Sequence, residues 1–248
     1  MTKIFPSTVR DDDTFIIAYP RSGSNFMLFL IGSLYFQKKI DWFNRDIIPS
    51  IEDEEIVLKT PSPRIMWGHS AYDSRYKKVI YIVRDPRDVI ISYYYWCLKF
   101  DLKNRSSLSF NMFFERFLSG ELWPLTRWDN HVSSWIDNKK YVEKGFLIVK
   151  YEDLLTNIHH EIKRIIAFLD LVRTDEEIAQ VVEWCSFENM RKLEKQQNNA
   201  PFFKNSDKGI PFVRQGKANA WNSFLSIEQQ EKINFSFHSV MRNLGYLE

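Results

Sequence analysis

Only two cysteines, Cys97 and Cys185, occur in 248 residues, each in apolar or aromatic surroundings. That excludes a disulfide framework and a thiolate metal cluster, and both read as buried thiols in a reducing compartment. Eight glycines and nine prolines are too few for a low-complexity or fibrous chain. The formal net charge is +2, so no basic field draws nucleic acid, and any anion site must be local. No apolar run is long enough to span a membrane. The first 15 residues, with Asp11-Asp12-Asp13, do not read as a signal peptide, and a soluble, cytoplasmic protein is expected. Repeats and linker-like stretches are missing, so residues 1–248 should form one domain. Missing too is Gly, four residues, then Gly-Lys-Ser/Thr, the string of an ordinary ATP-binding loop.

Apolar and aromatic residues, by contrast, are plentiful at 44% and 16%, enough for a large core and an aromatic-lined pocket. Short apolar runs alternate with longer amphipathic ones, which predicts α/β architecture around a parallel sheet. Strands are expected at 14–19, 56–59, 78–83 and 146–150, with a short one near 65–67. Helices are expected at about 25–38, 86–99, 108–119, 124–138, 153–169, 175–185, 187–195 and 226–243. Residues 196–219 are polar, with Pro201, Gly209, Pro211 and Gly216, and follow neither period. A loop this long is usually functional, and it should lie over the ligand site.

Two stretches carry chemistry. In the first, a strand runs into Tyr19-Pro20-Arg21-Ser22-Gly23-Ser24-Asn25-Phe26 and an apolar helix begins. Such a turn leaves backbone N–H groups free at a helix N-terminus, where the macrodipole favours an anion. Arg21 adds fixed charge, Gly23 permits close backbone approach, and Ser24 and Asn25 add neutral donors. The alternative is a plain turn with Ser22 or Ser24 as cap. In the second, Val79–Val83 ends in Arg84-Asp85-Pro86-Arg87-Asp88, again before a helix that carries Ser92. Ligands bind outside the carboxyl ends of parallel strands, so Arg21 and Arg84 should share one edge. Read alone, the Arg84–Asp88 charges also suit a surface ion network.

Together these stretches resemble the cytosolic-type sulfotransferase family, which moves a sulfuryl group from 3′-phosphoadenosine 5′-phosphosulfate (PAPS) to a hydroxyl or amine. Residues 20–26 look like its 5′-phosphosulfate loop, with Arg21 where Lys is usual and Phe26 where Trp is usual. Residues 83–89 with Ser92 resemble its 3′-phosphate motif. Tyr151-Glu152-Asp153-Leu154, Ser186-Phe187-Glu188-Asn189-Met190 and Val213-Arg214-Gln215-Gly216-Lys217 follow in the family's order.

The resemblance implies a P-loop-NTPase-like α/β fold, with a central parallel sheet of about four or five strands flanked by helices on both faces. It implies PAPS as co-substrate with no metal, and a small-molecule acceptor with an apolar part. It also implies roles. Arg21 would meet the bridging oxygen and sulfonate, while Ser22, Gly23, Ser24, Asn25 and Phe26 hold the 5′-phosphate. Arg84, Ser92 and Arg214, with Gln215 and Gly216 beside the last, would clamp the 3′-phosphate. Phe26 and Phe187 would sandwich adenine, with Tyr151 at its edge. His69, after a strand and fifteen residues before Arg84, would be the general base. Trp42, Phe43, Trp67, Tyr72, Tyr95, Trp96, Phe100 and Trp123 are candidates for the acceptor pocket or for core. His131 is either core or substrate-facing. The dimerisation pattern around 222–231 is degenerate, so a homodimer stays open. Competing readings are a nucleotide or nucleoside kinase on the related fold and a non-catalytic PAP- or PAPS-binding module.

Overall fold

The computed structural model describes residues 8–101, 108–122 and 126–248. Four strands, β1 (Thr14–Ala18), β2 (Ile65–Gly68), β3 (Lys78–Val83) and β4 (Gly145–Lys150), form one sheet in the order β2-β1-β3-β4. Every pairing is parallel. β1 and β3 are buried on both sides, as their unbroken apolar runs require. Phe15, Ile17, Val79 and Tyr81 enter one core, and Ile16, Ala18, Ile80 and Ile82 enter the other.

Helices cover both faces. On the second core lie α1 (Ser24–Phe36), α7 (Ile158–Phe168), α8 (Asp175–Trp184) and α9 (Phe187–Gln196). On the first lie α3 (Pro86–Phe100), α4 (Phe110–Ser119), α5 (Trp128–Ile136), α10 (Ile227–Ser236) and α11 (His238–Asn243). The helix after β1 thus goes to one face and the helix after β3 to the other. Because β1 and β3 are neighbours, a crevice opens between their carboxyl ends, the switch point of a doubly wound sheet.

Three expectations need correction. Residues 56–59 are not a strand but lie in a short helix, α2 (Glu54–Lys59), capped where Asp53 accepts from the Ile56 amide. Glu54 and Glu55 suit a helix N-terminus, and Ile56 and Leu58 are exposed, so only Val57 is buried. The helix expected at 153–169 is α6 (Tyr151–Thr156) followed by α7, broken at Asn157 (φ −144°, ψ 49°). Likewise 226–243 divides into α10 and α11 at Phe237. Trp123 and the expected helix start at 124 lie outside the described residues. Among the described residues no helix is long and apolar enough to cross a membrane.

Candidate active site

The turn after β1 is built for close approach. Gly23, at φ 113°, caps α1, and a Cβ there would meet the Tyr151 ring at 2.6 Å. Arg21 itself is held at φ 70°, a left-handed conformation that a non-glycine residue adopts at a cost. Ser22 Oγ, Ser24 Oγ and Asn25 Oδ1 are buried without a hydrogen-bond partner, and so is Arg84 Nε at the tip of β3. Such orphans are costly unless a ligand satisfies them. Three on this turn and a fourth at the neighbouring strand tip mark the crevice as a candidate site.

These residues open into one cavity of about 620 Å³, within the range of about 300–1,000 Å³ typical of ligand pockets. Arg21, Gly23, Ser24, Asn25, Phe26, His69, Arg84, Ser92 and Tyr151 line it, as do Phe187, Arg214, Gln215 and Gly216. Ser22 lies just beneath, fully buried. Arg84 donates to the Arg21 carbonyl at 3.3 Å and stacks over the Tyr151 ring at 4.3 Å. Arg21 Nε reaches Ser92 Oγ at 3.4 Å, and its guanidinium covers Phe212 at 4.6 Å. Arg214 lies over Tyr95. Burial, then Arg84, draws the Arg21 pKa down to about 10, so it stays cationic at neutral pH.

The remaining charges beyond β3 do other work. Asp85 caps α3 and grips Arg87 with both oxygens, a buried pair away from the cavity. Asp88 accepts the Asn219 and Trp221 amides, tying down the end of the long loop. The alternative of a surface ion network is thus not what forms: Asp85 and Arg87 make one buried pair, Asp88 holds backbone amides, and Arg84 faces the cavity.

The 196–219 segment forms a wall of the cavity. Lys99 on α3 is buried, donates to the Asp207 and Ile210 carbonyls, and lies 3.4 Å from Glu194. Glu194 in turn accepts the Phe212 and Val213 amides at 2.6 and 2.8 Å. This buried hub presses Phe212 and the 213–216 stretch against the site. Gly216 is at φ 58°, and a Cβ there would strike the Phe187 ring at 2.3 Å.

His69 follows β2 directly. Its Nδ1–H donates to the Ala18 carbonyl at 2.6 Å, and Nε2 has no hydrogen bond among the described residues. His131 is core, fully buried, and holds His69 from behind. Its Nε2–H donates to the His69 carbonyl at 3.0 Å, while Nδ1 accepts from Tyr81 Oη. Burial lowers the His69 pKa to about 4; the Ala18 carbonyl opposes that shift, and Arg21 and Arg45 add to it. The ring is thus neutral at physiological pH, with one nitrogen free to take a proton.

Arg45, Glu52, Tyr93, Phe202 and Phe212 also line the cavity without having been marked by any sequence motif. Trp67 and Trp96 reach it. Trp42 does not: it is buried against Phe29, Phe203 and Phe212 as core. Burial pushes both cysteine thiols up to about 12, so they stay protonated.

A family model described as "Sulfotransferase domain" matches residues 11–245. The rabbit (Oryctolagus cuniculus) amine sulfotransferase is 26% identical, covering 98% of this chain and 85% of the relative. Mouse (Mus musculus) sulfotransferase 2B1 is 31% identical over 95% and 72%. Among solved structures, mouse sulfotransferase SULT7A1 complexed with PAP superposes with a TM-score of 0.76 at 26% identity, over 96% of this chain and 87% of that one. Retinol dehydratase in a complex with retinol and PAP gives 0.75 at 22% identity, over 96% and 83%, a likeness of fold. With an arginine at each strand tip, a crevice between them and a family match across nearly its whole length, this chain belongs to the sulfotransferases, enzymes that draw a sulfuryl group from PAPS.

Proposed function

We propose that the chain, acting as one domain, transfers the PAPS sulfuryl group in line to a hydroxyl, or an amine, of a small acceptor, with His69 as general base. One observation carries the reading: a single cavity joins the orphaned Ser24 hydroxyl after β1, the Arg84 tip and His69, whose Nε2 has no hydrogen bond among the described residues. Backbone amides from Gly23 to Phe26, with Ser24 Oγ, hold the 5′-phosphate at the α1 N-terminus, the Ser22 amide being given to the Tyr19 carbonyl. Arg84, Ser92 and Arg214 take the 3′-phosphate, and Phe26 and Phe187 flank the adenine. Arg21 stabilises the charge that grows on the bridging oxygen as the sulfur–oxygen bond breaks. His69 Nε2 accepts the acceptor's proton as the new bond forms. Trp67, Trp96, Phe202 and Phe212 favour an acceptor with an apolar part.

Calorimetry tests the donor assignment. Adenosine 3′,5′-bisphosphate (PAP) should bind without Mg²⁺ and at least about tenfold tighter than ATP with or without it, since a charge-assisted 3′-phosphate clamp is worth about that factor or more. Tighter, Mg²⁺-dependent ATP binding would favour a kinase instead. PAP binding with no transfer to any acceptor would leave a binding module.

The His69 environment makes a second expectation. In the ligand-free protein an NMR titration should find the ring neutral down to about pH 5, with its midpoint near 4. An anion beside it favours the imidazolium, so PAP should move that midpoint upward. His131 is also held near 4, mainly by burial, so a His69→Ala spectrum assigns the signals. A midpoint at 6.5, indifferent to PAP, would take His69 out of the site.

A further inference from the structure

Four arginines and one glutamate, Glu52, are the charged side chains of the cavity wall. Arg21, Arg84 and Arg214 have work in holding the donor. Arg45 has none. It sits on a single 3-10 turn (Arg45–Ile47), and residues 49–51 hold that region to the open edge of β2. The Ile51 amide donates to the Trp67 carbonyl at 2.9 Å, and the Trp67 amide donates to the Pro49 carbonyl at 3.0 Å.

Arg45 is 3% exposed, and its guanidinium lies between two aromatic faces, Phe202 at 4.5 Å and Trp67 at 5.3 Å. Its Nη1 is buried with no hydrogen-bond partner. Nε lies 3.1 Å from Asp46 Oδ1, out of hydrogen-bond alignment, and that carboxylate is 68% exposed. Glu52 makes no ion pair with Arg45 among the described residues. Aromatic faces offset part of the burial of a cation, but they give its in-plane N–H groups nothing to bond. A buried guanidinium edge left open costs free energy that only a matching acceptor recovers. Burial draws the Arg45 pKa down, and the neighbouring Asp46 carboxylate opposes that shift in part.

Its neighbours say which end of the cavity it serves. Trp67 packs edge-on against His69 at 5.4 Å, so Arg45 stands one indole away from the base. Phe202 touches Phe212 at 5.0 Å, and Phe212 carries Arg21. The two guanidiniums are thus separated by a phenyl pair, Arg21 on the donor side and Arg45 beyond it.

Resting on the sulfotransferase reading, we infer that Arg45 recognises a carboxylate on the acceptor. The acceptor's hydroxyl meets His69, its apolar body lies against Trp67, Phe202 and Phe212, and its anionic group docks on the Arg45 edge. The substrate class is compact hydroxyaryl carboxylates, in which one ring separates hydroxyl from acid.

The test compares p-hydroxyphenylpropionate with its methyl ester, in PAPS-dependent turnover and in calorimetric binding to the PAP-loaded protein. Wild type should favour the acid by about tenfold or more, mainly in KM and in binding, as a charge-assisted pair provides. Arg45→Met should bring the acid down to the level of the ester, and Arg45→Lys should restore part of the preference. An ester that binds or reacts as well as the acid in wild type overturns the inference. So does an Arg45→Met protein in which both compounds lose the same factor, since Arg45 would then serve the transferring group or the fold. Transfer without acid preference leaves the parent reading standing and removes this one. Acid preference in binding with no transfer upholds Arg45 and removes His69 catalysis.

Discussion

Replacing His69 with alanine should lower kcat by about 10² to 10⁴, the usual value of a positioned general base, while PAP affinity changes by less than about twofold. The separation follows from how the residue is held. The His69 side chain lines the cavity; the main chain beside it is secured by His131 Nε2–H on the His69 carbonyl and by Trp135 Nε1–H on the Ser70 carbonyl. Removing the ring leaves both anchors in place and takes away one hydrogen bond, to the Ala18 carbonyl at the end of β1. Nδ1 is committed to the Ala18 carbonyl, which fixes the tautomer with Nε2 as acceptor. A steady-state assay with PAPS and a phenolic acceptor, paired with PAP calorimetry, reads both quantities. Unchanged kcat would mean that the proton leaves by another route. A parallel collapse of PAP affinity would make His69 a scaffold residue.

The proposed donor half of the candidate site was legible in the sequence because it is local. A strand, a turn and a helix follow one another within about a dozen residues at β1 and again at β3, and the turn chemistry of Gly23 and Pro86 is written at those positions. The acceptor half was not. Arg45 lies on one 3-10 turn with no motif around it, and it becomes a site residue only because Trp67 and Phe202, far away in the chain, close over it. Phe202 and Phe212 sit in a stretch that has no period to read; the buried Lys99–Glu194 hub decides where they point. The false strand at 56–59 has the same origin. Three consecutive apolar residues fit a strand or a helix equally well, and the acidic run before them together with two exposed apolar side chains settled it as helix. His131 shows the reverse case: a titratable residue in an aromatic helix whose role is to hold the catalytic candidate's backbone.

Arg84→Ala should weaken PAP binding by about ten- to a hundredfold while AMP, which lacks the 3′-phosphate, loses far less. The magnitude is that of hydrogen bonds to a charged group. The selectivity comes from position. Arg84 meets the donor loop at the Arg21 carbonyl, 3.3 Å away, and through the Tyr151 ring, and its Nε is buried with no partner among the described residues, whereas the amides after Gly23 belong to another strand tip. Deleting it therefore empties one anion subsite and leaves the other built. Its removal also bares the Tyr151 face on which it stacks, a packing loss that both nucleotides share and that the comparison between them cancels. Equal losses for PAP and AMP would place Arg84 in the support of the loop, and the 3′-phosphate would then fall to Arg214 and Ser92. A loss confined to PAP would tie the β3 tip to the phosphate that distinguishes this donor from ATP.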